Sequence, residues 1–300
     1  MSKKNYARPF LKWAGGKRQL LNDFEEFYPE DLGNEVNVYI EPFVGGGAVF
    51  FSLTGRFGFK ECHIADRNQD LMLAYQVIRD DVELLIDRLH EIWELYLSLE
   101  KEQRKEFYYR ARDDFNKNIC IIPREEEISP LAVERTALLL FLNRTCFNGL
   151  YRVNSRGEFN VPFGRYDRPS FPGDGVLRAD AGALEHTGIH TGDFTTVRDF
   201  VGKNTFIYFD PPYRPLKRTS SFTSYSEGGF GEEDQRRLAG FFAECSSLGA
   251  RCMLSNSDPD DGFFEELYRD FVIRRVPARR AINSDKNGRG RIMEIVVTNY

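Results

Sequence analysis

The sequence lacks long apolar runs. No stretch approaches the roughly 18 consecutive apolar residues that a membrane-spanning helix requires. The N-terminal segment MSKKNYARPFLKWAGGKRQ also lacks the apolar centre of a secretion signal. We therefore expect a cytoplasmic protein that neither spans a membrane nor is secreted.

Cysteine is scarce as well. The five cysteines are odd in number and scattered, and no two of them form a CxxC pair. This pattern argues against a disulfide scaffold and a zinc ribbon, and it predicts reduced thiols. His186 and His190 are four residues apart, but they flank Gly188 in a loop-like stretch with no cysteine nearby, so we expect no metal site.

The sequence also lacks the low hydrophobicity and high net charge of a disordered chain. Of its 300 residues, 41% are hydrophobic and 29% are charged, and the formal net charge is -5. Single hydrophobic cores stop growing near roughly 250 to 300 residues. The length therefore predicts one large domain with an insertion, or two domains.

Basic residues concentrate in three segments of this acidic chain. Residues 1–22 carry six basic residues and no acidic one, residues 143–169 carry five arginines against two acids, and residues 273–291 carry seven basic residues against one acid. Such segments are often unrelated solvated surfaces. If they converge in the fold, they form a basic face that suits a polyanion.

A strand, a glycine loop and a helix follow one another early in the chain. The apolar run 38–40 predicts the strand, the glycine loop comprises residues 44–47, and the helix is predicted over 48–53. A second strand over 62–65 ends at Asp66, about 20 residues beyond the glycines. This order is typical of a Rossmann-like cofactor domain.

The spacing of apolar residues changes in the middle of the chain. Spacings of three and four predict an amphipathic helix over 82–99, and Ser129-Pro130 is typical of a helix start, with the helix predicted over 131–142. Residues 143–175 lose this periodicity, and Asn, Gly, Pro, Arg and aromatic residues alternate there, which indicates a long functional loop. Further strands are predicted over 205–209, 251–255 and 292–297.

Together these elements predict an α/β fold. A Rossmann-like domain is built from residues 1–70 and 173–300, and a mainly helical insertion occupies residues 71–172.

The most specific motif is Asp210-Pro211-Pro212-Tyr213, which directly follows a predicted strand. Ligands of open α/β sheets bind at the carboxyl ends of strands, so these four residues are catalytic candidates. An exocyclic amine on an aromatic ring is planar and a poor nucleophile. The Asp210 carboxylate and the Pro211 carbonyl, placed on its two hydrogens, favour a pyramidal nitrogen whose lone pair can attack, and the carboxylate stabilises the developing positive charge. Tyr213 supplies a stacking face. The alternative is a Pro-Pro turn that only closes the strand.

These motifs resemble the Dam-type DNA adenine N6-methyltransferases of the D12 class, alpha group. The resemblance covers essentially the whole chain and rests on PFLKWAGGK at residues 9–17, EPFVGGG at 41–47, Asp66, the Asp210 motif, and the segment 143–166, in that order. It implies a catalytic domain that binds S-adenosylmethionine and an inserted target-recognition domain that reads double-stranded DNA.

The resemblance also implies the cofactor-binding residues. The N-terminal motif would close over the methionine part of the cofactor, the glycine loop would lie beneath it, Asp66 would take the ribose hydroxyls, and a short motif after residue 192 would contact the adenine. The cofactor-binding residues implied in this way are Trp13, Ala14, Gly15, Lys17, Glu41, Phe43, Gly45, Asp66, Asp193, Phe194 and Asp210. For Trp13 the alternative is core packing.

The DNA-binding residues are implied in the same way. Adenine N6 is inaccessible inside a duplex, so an enzyme that acts on it must flip the base into a pocket. The sequence Leu150-Tyr151-Arg152 and the PFGRY run imply the GATC site typical of the family. The implied DNA-binding residues are Lys12, Phe147, Asn148, Leu150, Arg152, Asn160, Pro162, Arg165 and Tyr166. We further expect a monomer, and a restriction endonuclease acting on the same site is a possible partner.

Three other functions compete with this interpretation. An NAD-dependent oxidoreductase would explain the glycine loop and Asp66 but leaves the Asp210 motif and the basic loop without a role. A binding module that had lost catalysis would show a substituted Asp210 or a broken glycine loop. Enzymes that methylate protein glutamine or RNA carry a similar tetrapeptide, and many of these begin it with Asn.

Overall fold

A seven-stranded sheet lies at the centre of the computed structural model, which describes residues 6–117, 128–214, 230–258, 260–278 and 292–300. In chain order the strands are β1 (Val38–Glu41), β2 (Glu61–Asp66), β3 (Thr187–Thr191), β4 (Thr205–Phe209), β5 (Arg251–Ser257), β6 (Val272–Ala278) and β7 (Ile292–Thr298). Their order across the sheet is β3-β2-β1-β4-β5-β7-β6. Neighbouring strands are parallel except at β7, which is antiparallel to both β5 and β6.

Helices cover both faces of this sheet. They are α1 (Leu21–Phe24), α2 (Ala48–Thr54), α3 (Gln69–Asp80), α4 (Val82–Ser98), α5 (Lys101–Lys117), α6 (Pro130–Thr145), α7 (Asp174–Leu184), α8 (Glu232–Ser247) and α9 (Phe263–Leu267). Short 3-10 helices occupy Lys17–Gln19, Glu25–Phe27, Phe147–Gly149 and Phe194–Phe200. The result is a Rossmann-like α/β architecture, as the sequence predicts.

Alternate residues of each strand enter opposite layers of the core. In β4, Phe206 and Tyr208 join the layer that contains α2 to α7, whereas Ile207 and Phe209 join the layer that contains α8 and α9. All four side chains are buried. A strand buried on both faces is a continuous apolar run, which is why β4 is recognisable in the sequence.

The helices of the insertion lie over one face of the sheet, which α3 contacts directly. Helix α4 packs on α6 and α7, α5 packs on α6, and α3 contacts α6 as well as strands β2 and β3. Helix α6 begins where the sequence predicts, because Ser129 accepts a hydrogen bond from the Ala132 N–H and Pro130 occupies its first turn.

Two strands are absent from the sequence prediction. The stretch around Gly188 is not a loop but strand β3, where His190 lies beside His63 on β2, 3.1 Å away between ring nitrogens. The pattern TGIHT carries little apolar character because β3 is a half-exposed edge strand. Strand β6, at the opposite edge, contains two arginines and Pro277 for the same reason.

Two further expectations concern membrane-spanning helices and the state of the cysteines. Among the residues that the structure describes, no helix is long and apolar enough to cross a membrane. Cys62, Cys146, Cys245 and Cys252 are free and buried. The fifth cysteine, Cys120, lies outside the described residues.

Candidate active site

The site lies where the strand order reverses. Strands β1 and β4 are neighbours, and the chain leaves each of them in a different direction across the sheet. Such a reversal opens a crevice at the carboxyl ends of the two strands. Glu41 is the last residue of β1, and Asp210 directly follows β4. Both carboxylates therefore reach the same crevice.

A buried lysine joins the catalytic candidates to one another. Lys17 is only 3% exposed. Its ammonium lies 3.1 Å from Asp210 Oδ1, donates to the Tyr213 hydroxyl at 2.7 Å, and also donates to Glu294. The Tyr213 hydroxyl lies 3.2 Å from Glu294 Oε1. We call these four residues the Lys17 cluster.

The Lys17 cluster sets the protonation of its members. Burial raises the pKa of Asp210 to about 6, with the Lys17 charge lowering it and the Glu294 charge raising it. Burial alone would lower the pKa of Lys17, but the charges of Asp210 and Glu294 outweigh it and raise that pKa. Burial raises the pKa of Tyr213 to about 12. At neutral pH the cluster therefore holds an ionised Asp210 and a cationic Lys17.

Two residues of the site were not predicted. Glu294 comes from β7, where it is a lone acid in the apolar strand IMEIVVT and is buried. A lone carboxylate in such a strand requires a buried partner, and this signal could have identified Glu294 as a site residue. Gln235 of α8 is also buried, and its side-chain amide donates to the Pro212 carbonyl at 3.2 Å, which fixes the catalytic loop. No sequence pattern marks Gln235.

The glycine loop passes under Trp13. A Cβ atom at Gly46 would lie 2.9 Å from the Trp13 Cβ, and one at Gly45 would lie 3.0 Å from the indole ring. Gly45 and Gly47 also have positive φ values of 48° and 72°. Gly45 and Gly46 require glycine because the tryptophan approaches so closely, whereas a Cβ atom at Gly47 would lie 2.5 Å from the Tyr75 hydroxyl. Trp13 is half-buried and packs against the core, and its role toward a cofactor stays a prediction.

Two carboxylates flank this loop. Asp66 accepts hydrogen bonds from the backbone N–H groups of Gly45 at 3.2 Å and Asn68 at 2.9 Å. Burial raises the pKa of Asp66 despite these bonds. Glu41 is 2% exposed and accepts a hydrogen bond from the Tyr39 hydroxyl at 2.6 Å, and burial raises its pKa well above the usual range.

Aromatic rings line the far side of the loop. Phe43 packs on Phe194 with ring centroids 5.5 Å apart. Asp193 caps the short helix that begins at Phe194, and its carboxylate binds Arg67 and Arg237. The Asp193 side chain is thus held by arginines.

Of the remaining N-terminal residues, Ala14 is exposed, and Gly15 has a φ of 78° with open space where a Cβ would project.

Residues 146–166, which we call the hairpin segment, follow α6 without regular secondary structure apart from Phe147–Gly149. Antiparallel bridges join Cys146 to Phe163 and Val153 to Phe159, so the segment runs out and returns. Helix α5 anchors the returning arm, because the Tyr108 hydroxyl donates to the Val161 carbonyl at 2.7 Å and Asn116 exchanges two hydrogen bonds with the Phe159 backbone.

The base of the hairpin segment meets the N-terminal motif. Asn143 accepts from the Lys12 N–H at 2.8 Å and donates to the Lys12 carbonyl at 2.9 Å. The Lys12 ammonium lies 5.3 Å from the centroid of the Tyr166 ring, and the Tyr166 hydroxyl accepts from the Asn148 N–H at 2.9 Å. Phe147 is 52% exposed at this end.

The predicted readout residues of the two arms differ in exposure. Arg152 is exposed and donates through Nε to the Asn160 side-chain oxygen at 2.6 Å, so Asn160 orients it. Glu158 is bound by Arg156 and Asn154 instead. Pro162 and Arg165 are exposed, whereas Leu150 is half-buried and packs against the core.

Two of the three basic segments converge. Residues 6–22 and 143–169 meet through Lys12 and Asn143, and Arg144 donates to the Phe10 carbonyl at 2.5 Å. The described part of the third segment, residues 273–278, has its arginines engaged elsewhere: Arg275 pairs with Asp258 at 2.6 Å. Residues 1–5 and 279–291 lie outside the described residues.

Comparisons with known proteins agree with one another. A model of the D12 class N6 adenine-specific DNA methyltransferase family matches residues 13–282. A type II methyltransferase from Methanocaldococcus jannaschii is 49% identical over 297 residues, 98% of this chain and 99% of that protein. A type II methyltransferase from Lactococcus lactis is 40% identical over 98% of this chain and 95% of its own. A DNA adenine methylase from Haemophilus influenzae is 34% identical over 96% of this chain and 92% of its own. The chain therefore belongs to the D12 class of N6 adenine-specific DNA methyltransferases.

Proposed function

We propose that this enzyme transfers a methyl group from S-adenosylmethionine to adenine N6 in double-stranded DNA, within GATC, after flipping the adenine into the crevice beside Asp210. The observation that carries the proposal is the Lys17 cluster. It holds an ionised carboxylate at the carboxyl end of β4, 20% exposed, next to the half-buried ring of Tyr213.

The residues around the glycine loop fit S-adenosylmethionine. Asp66 offers carboxylate oxygens that suit the two hydroxyls of a ribose. Glu41 is a buried carboxylate with no cation within ion-pair distance among the residues described, so an amino group would supply the charge that its site lacks. Trp13 lies directly against Gly45 and Gly46, so the N-terminal motif and the glycine loop form one continuous wall of the proposed site. When bound, the cofactor supplies the electrophilic methyl group.

Asp210 acts on the amine of the target base. Its carboxylate and the Pro211 carbonyl accept the two N6 hydrogens, which favours a pyramidal nitrogen with an available lone pair. As the N–C bond to the methyl group forms and the bond from that methyl group to the cofactor sulfur breaks, positive charge would develop on N6 until it loses one proton. The fixed carboxylate stabilises that charge without reorganising. Lys17, which is itself bound by Glu294, holds the carboxylate in place, and Tyr213 stacks on the heterocycle.

The hairpin segment reads the DNA. An arginine can donate two hydrogen bonds to O6 and N7 of guanine in the major groove, and Arg152 is exposed with only one edge engaged by Asn160. Phe147, exposed at the end nearest Lys12, provides an aromatic surface against unstacked bases. Lys12, Asn148, Leu150, Pro162, Arg165 and Tyr166 complete the proposed contact surface.

Further proposals follow from the same assignment. We assign residues 1–70 and 173–300 to the catalytic domain and residues 71–172 to target recognition, and we propose a cytoplasmic monomer. Since two relatives are named type II methyltransferases, we also propose a restriction endonuclease that cleaves the same site.

One experiment tests the reaction, its substrate and its site together. The enzyme is incubated with methyl-tritiated S-adenosylmethionine and duplexes that contain GATC or single substitutions of it, and the labelled nucleoside is identified after digestion. The proposal predicts label in N6-methyladenine from GATC duplexes. Label confined to single strands, to another motif or to RNA would contradict it.

A further inference from the structure

Tyr151 lies between two proposed readout residues, but its side chain is buried in the protein. Its neighbour Arg152 is exposed, whereas Tyr151 is 7% exposed. The side chain therefore points from the hairpin segment into the protein, although its backbone belongs to the arm that would contact bases. The buried contacts of the Tyr151 side chain therefore indicate its role.

The ring of Tyr151 stacks on Trp13. The ring centroids are 5.4 Å apart and the planes differ by 28°. Trp13 also lies against Gly45 and Gly46 of the glycine loop. Trp13 thus contacts both the glycine loop and a residue of the hairpin segment, so a movement of this arm of the hairpin changes the support of the proposed cofactor wall.

The hydroxyl of Tyr151 reaches a second cofactor-side segment. It donates to Asp70 Oδ2 at 2.8 Å, and Asp70 Oδ1 accepts from Arg135 of α6 at 2.7 Å. Asp70 belongs to the first turn of α3, four residues after Asp66. The Asp70 and Arg135 side chains are largely buried, which makes this pair a fixed anchor.

We propose that Tyr151 couples DNA binding to cofactor binding, so that each ligand raises the affinity for the other. The coupling rests on the proposed function, because it assumes that the hairpin segment binds DNA and that Trp13 and Asp66 bind the cofactor. DNA fixes the backbone of residues 150–152. Through Tyr151 this fixes Trp13 and the start of α3, so the cofactor then orders less of the protein when it binds.

The test compares S-adenosylmethionine affinity without and with a saturating GATC duplex, by calorimetry or fluorescence, in the full-length enzyme. For the wild type we expect the duplex to tighten binding about fivefold or more, the lower end of typical coupling between sites. Tyr151→Phe retains the stack and loses the bond to Asp70. The ratio of S-adenosylmethionine affinity with duplex to that without duplex should therefore fall between the wild-type value and one. Tyr151→Leu loses both contacts, and the ratio approaches one.

Tyr108→Phe is the matched control. Tyr108 also anchors the hairpin segment through a buried hydroxyl, but its partner is the Val161 carbonyl. This variant should keep the wild-type ratio. Thermal melting of all variants checks folding. If Tyr151→Leu does not fold, the comparison of Tyr151→Phe with the wild type is sufficient to test the coupling.

Three results overturn the coupling, and a fourth concerns the proposed function instead. A wild type that binds both ligands with a ratio of one contradicts the coupling, as does an unchanged ratio in Tyr151→Phe or an equal loss in Tyr108→Phe. A wild type that binds no S-adenosylmethionine or no duplex contradicts the proposed function itself.

Discussion

The Lys17 cluster and the hairpin segment hold their charges in different ways. In the cluster, Lys17, Asp210 and Glu294 are largely or fully buried, and the Lys17 ammonium pairs with both carboxylates at short range. In the hairpin segment, Arg152 and Arg165 are exposed, and Arg152 is oriented by a neutral amide rather than by an acid. Buried charges that pair with one another are held in fixed positions, which suits the stabilisation of a transition state. Exposed donors remain free to bind DNA.

This contrast predicts different consequences of mutation. Changes in the Lys17 cluster should lower the rate on every DNA sequence and alter the pH dependence. Changes in the hairpin segment should alter the choice of sequence or the dependence on salt while the chemical step survives.

The largest effect is expected for Asp210→Ala. Loss of one preorganised electrostatic group typically costs about 100-fold to 1,000-fold in turnover, and Asp210 is the charge nearest the proposed amine. Single-turnover methylation of a GATC duplex measures the effect. S-adenosylmethionine affinity, measured separately, should change much less. Near-normal turnover would refute the mechanism.

Arg152→Ala should have the next largest effect, which is on the discrimination between guanine and another base in the recognition site. A bidentate arginine–guanine pair contributes about 1–3 kcal/mol against the wrong base. The variant should therefore bring kcat/KM on GATC close to that on a site altered at one guanine. Arg156→Ala is the control, since Arg156 is exposed on the same segment but pairs with Glu158. Equal losses on both substrates in Arg152→Ala would make it a phosphate contact or scaffold residue.

The pH profile tests the charges around Asp210. Because the pKa of Asp210 is about 6 and the ionised form is required, turnover should fall as pH drops through that value. Glu294→Gln removes a charge that raises this pKa, so the acidic limb should move to lower pH. Lys17→Met removes a charge that lowers it, so the limb should move to higher pH, each by about one unit or more. Shifts in the same direction would contradict the assignment.

The smallest effect concerns salt. If residues 6–22 and 143–169 contact phosphates, log Kd for a duplex should change linearly with log salt, with a slope of about 0.9 per phosphate neutralised. Arg165→Ala should reduce the slope by about one contact on every sequence. A flat salt dependence of the wild type would place the phosphate contacts elsewhere.

Much of this organisation could be predicted from the sequence because local patterns encode it. The apolar runs of β1, β2, β4, β5 and β7 are visible because these strands are buried. The Asp210 motif is likewise recognisable because it follows one of them. The edge strands β3 and β6 could not be predicted, since half-exposed strands need neither an apolar run nor strict alternation.

Long-range partners were also inaccessible to local patterns. Lys17 was expected to bind the cofactor, and only the fold reveals that its ammonium binds Asp210 and Glu294, which are 193 and 277 positions away in the chain. The stack of Trp13 on Tyr151 and the support of Pro212 by Gln235 depend on packing between distant segments in the same way.

Family membership decides between the functions that the sequence left open. A match to the D12 class over residues 13–282 excludes the NAD-dependent oxidoreductase. The intact Asp210, held by Lys17, is contrary to a module that has lost catalysis. The family also favours DNA over RNA or protein glutamine as the substrate.

The most direct test of the division between chemistry and readout compares two variants on two substrates. Single-turnover methylation rates are measured for the wild type, Asp210→Ala and Arg152→Ala, each on a GATC duplex and on a duplex altered at one guanine. We expect Asp210→Ala to lower both rates by the same factor and preserve their ratio, whereas Arg152→Ala should bring the two rates together. An altered ratio in Asp210→Ala, together with a preserved ratio in Arg152→Ala, would contradict this division.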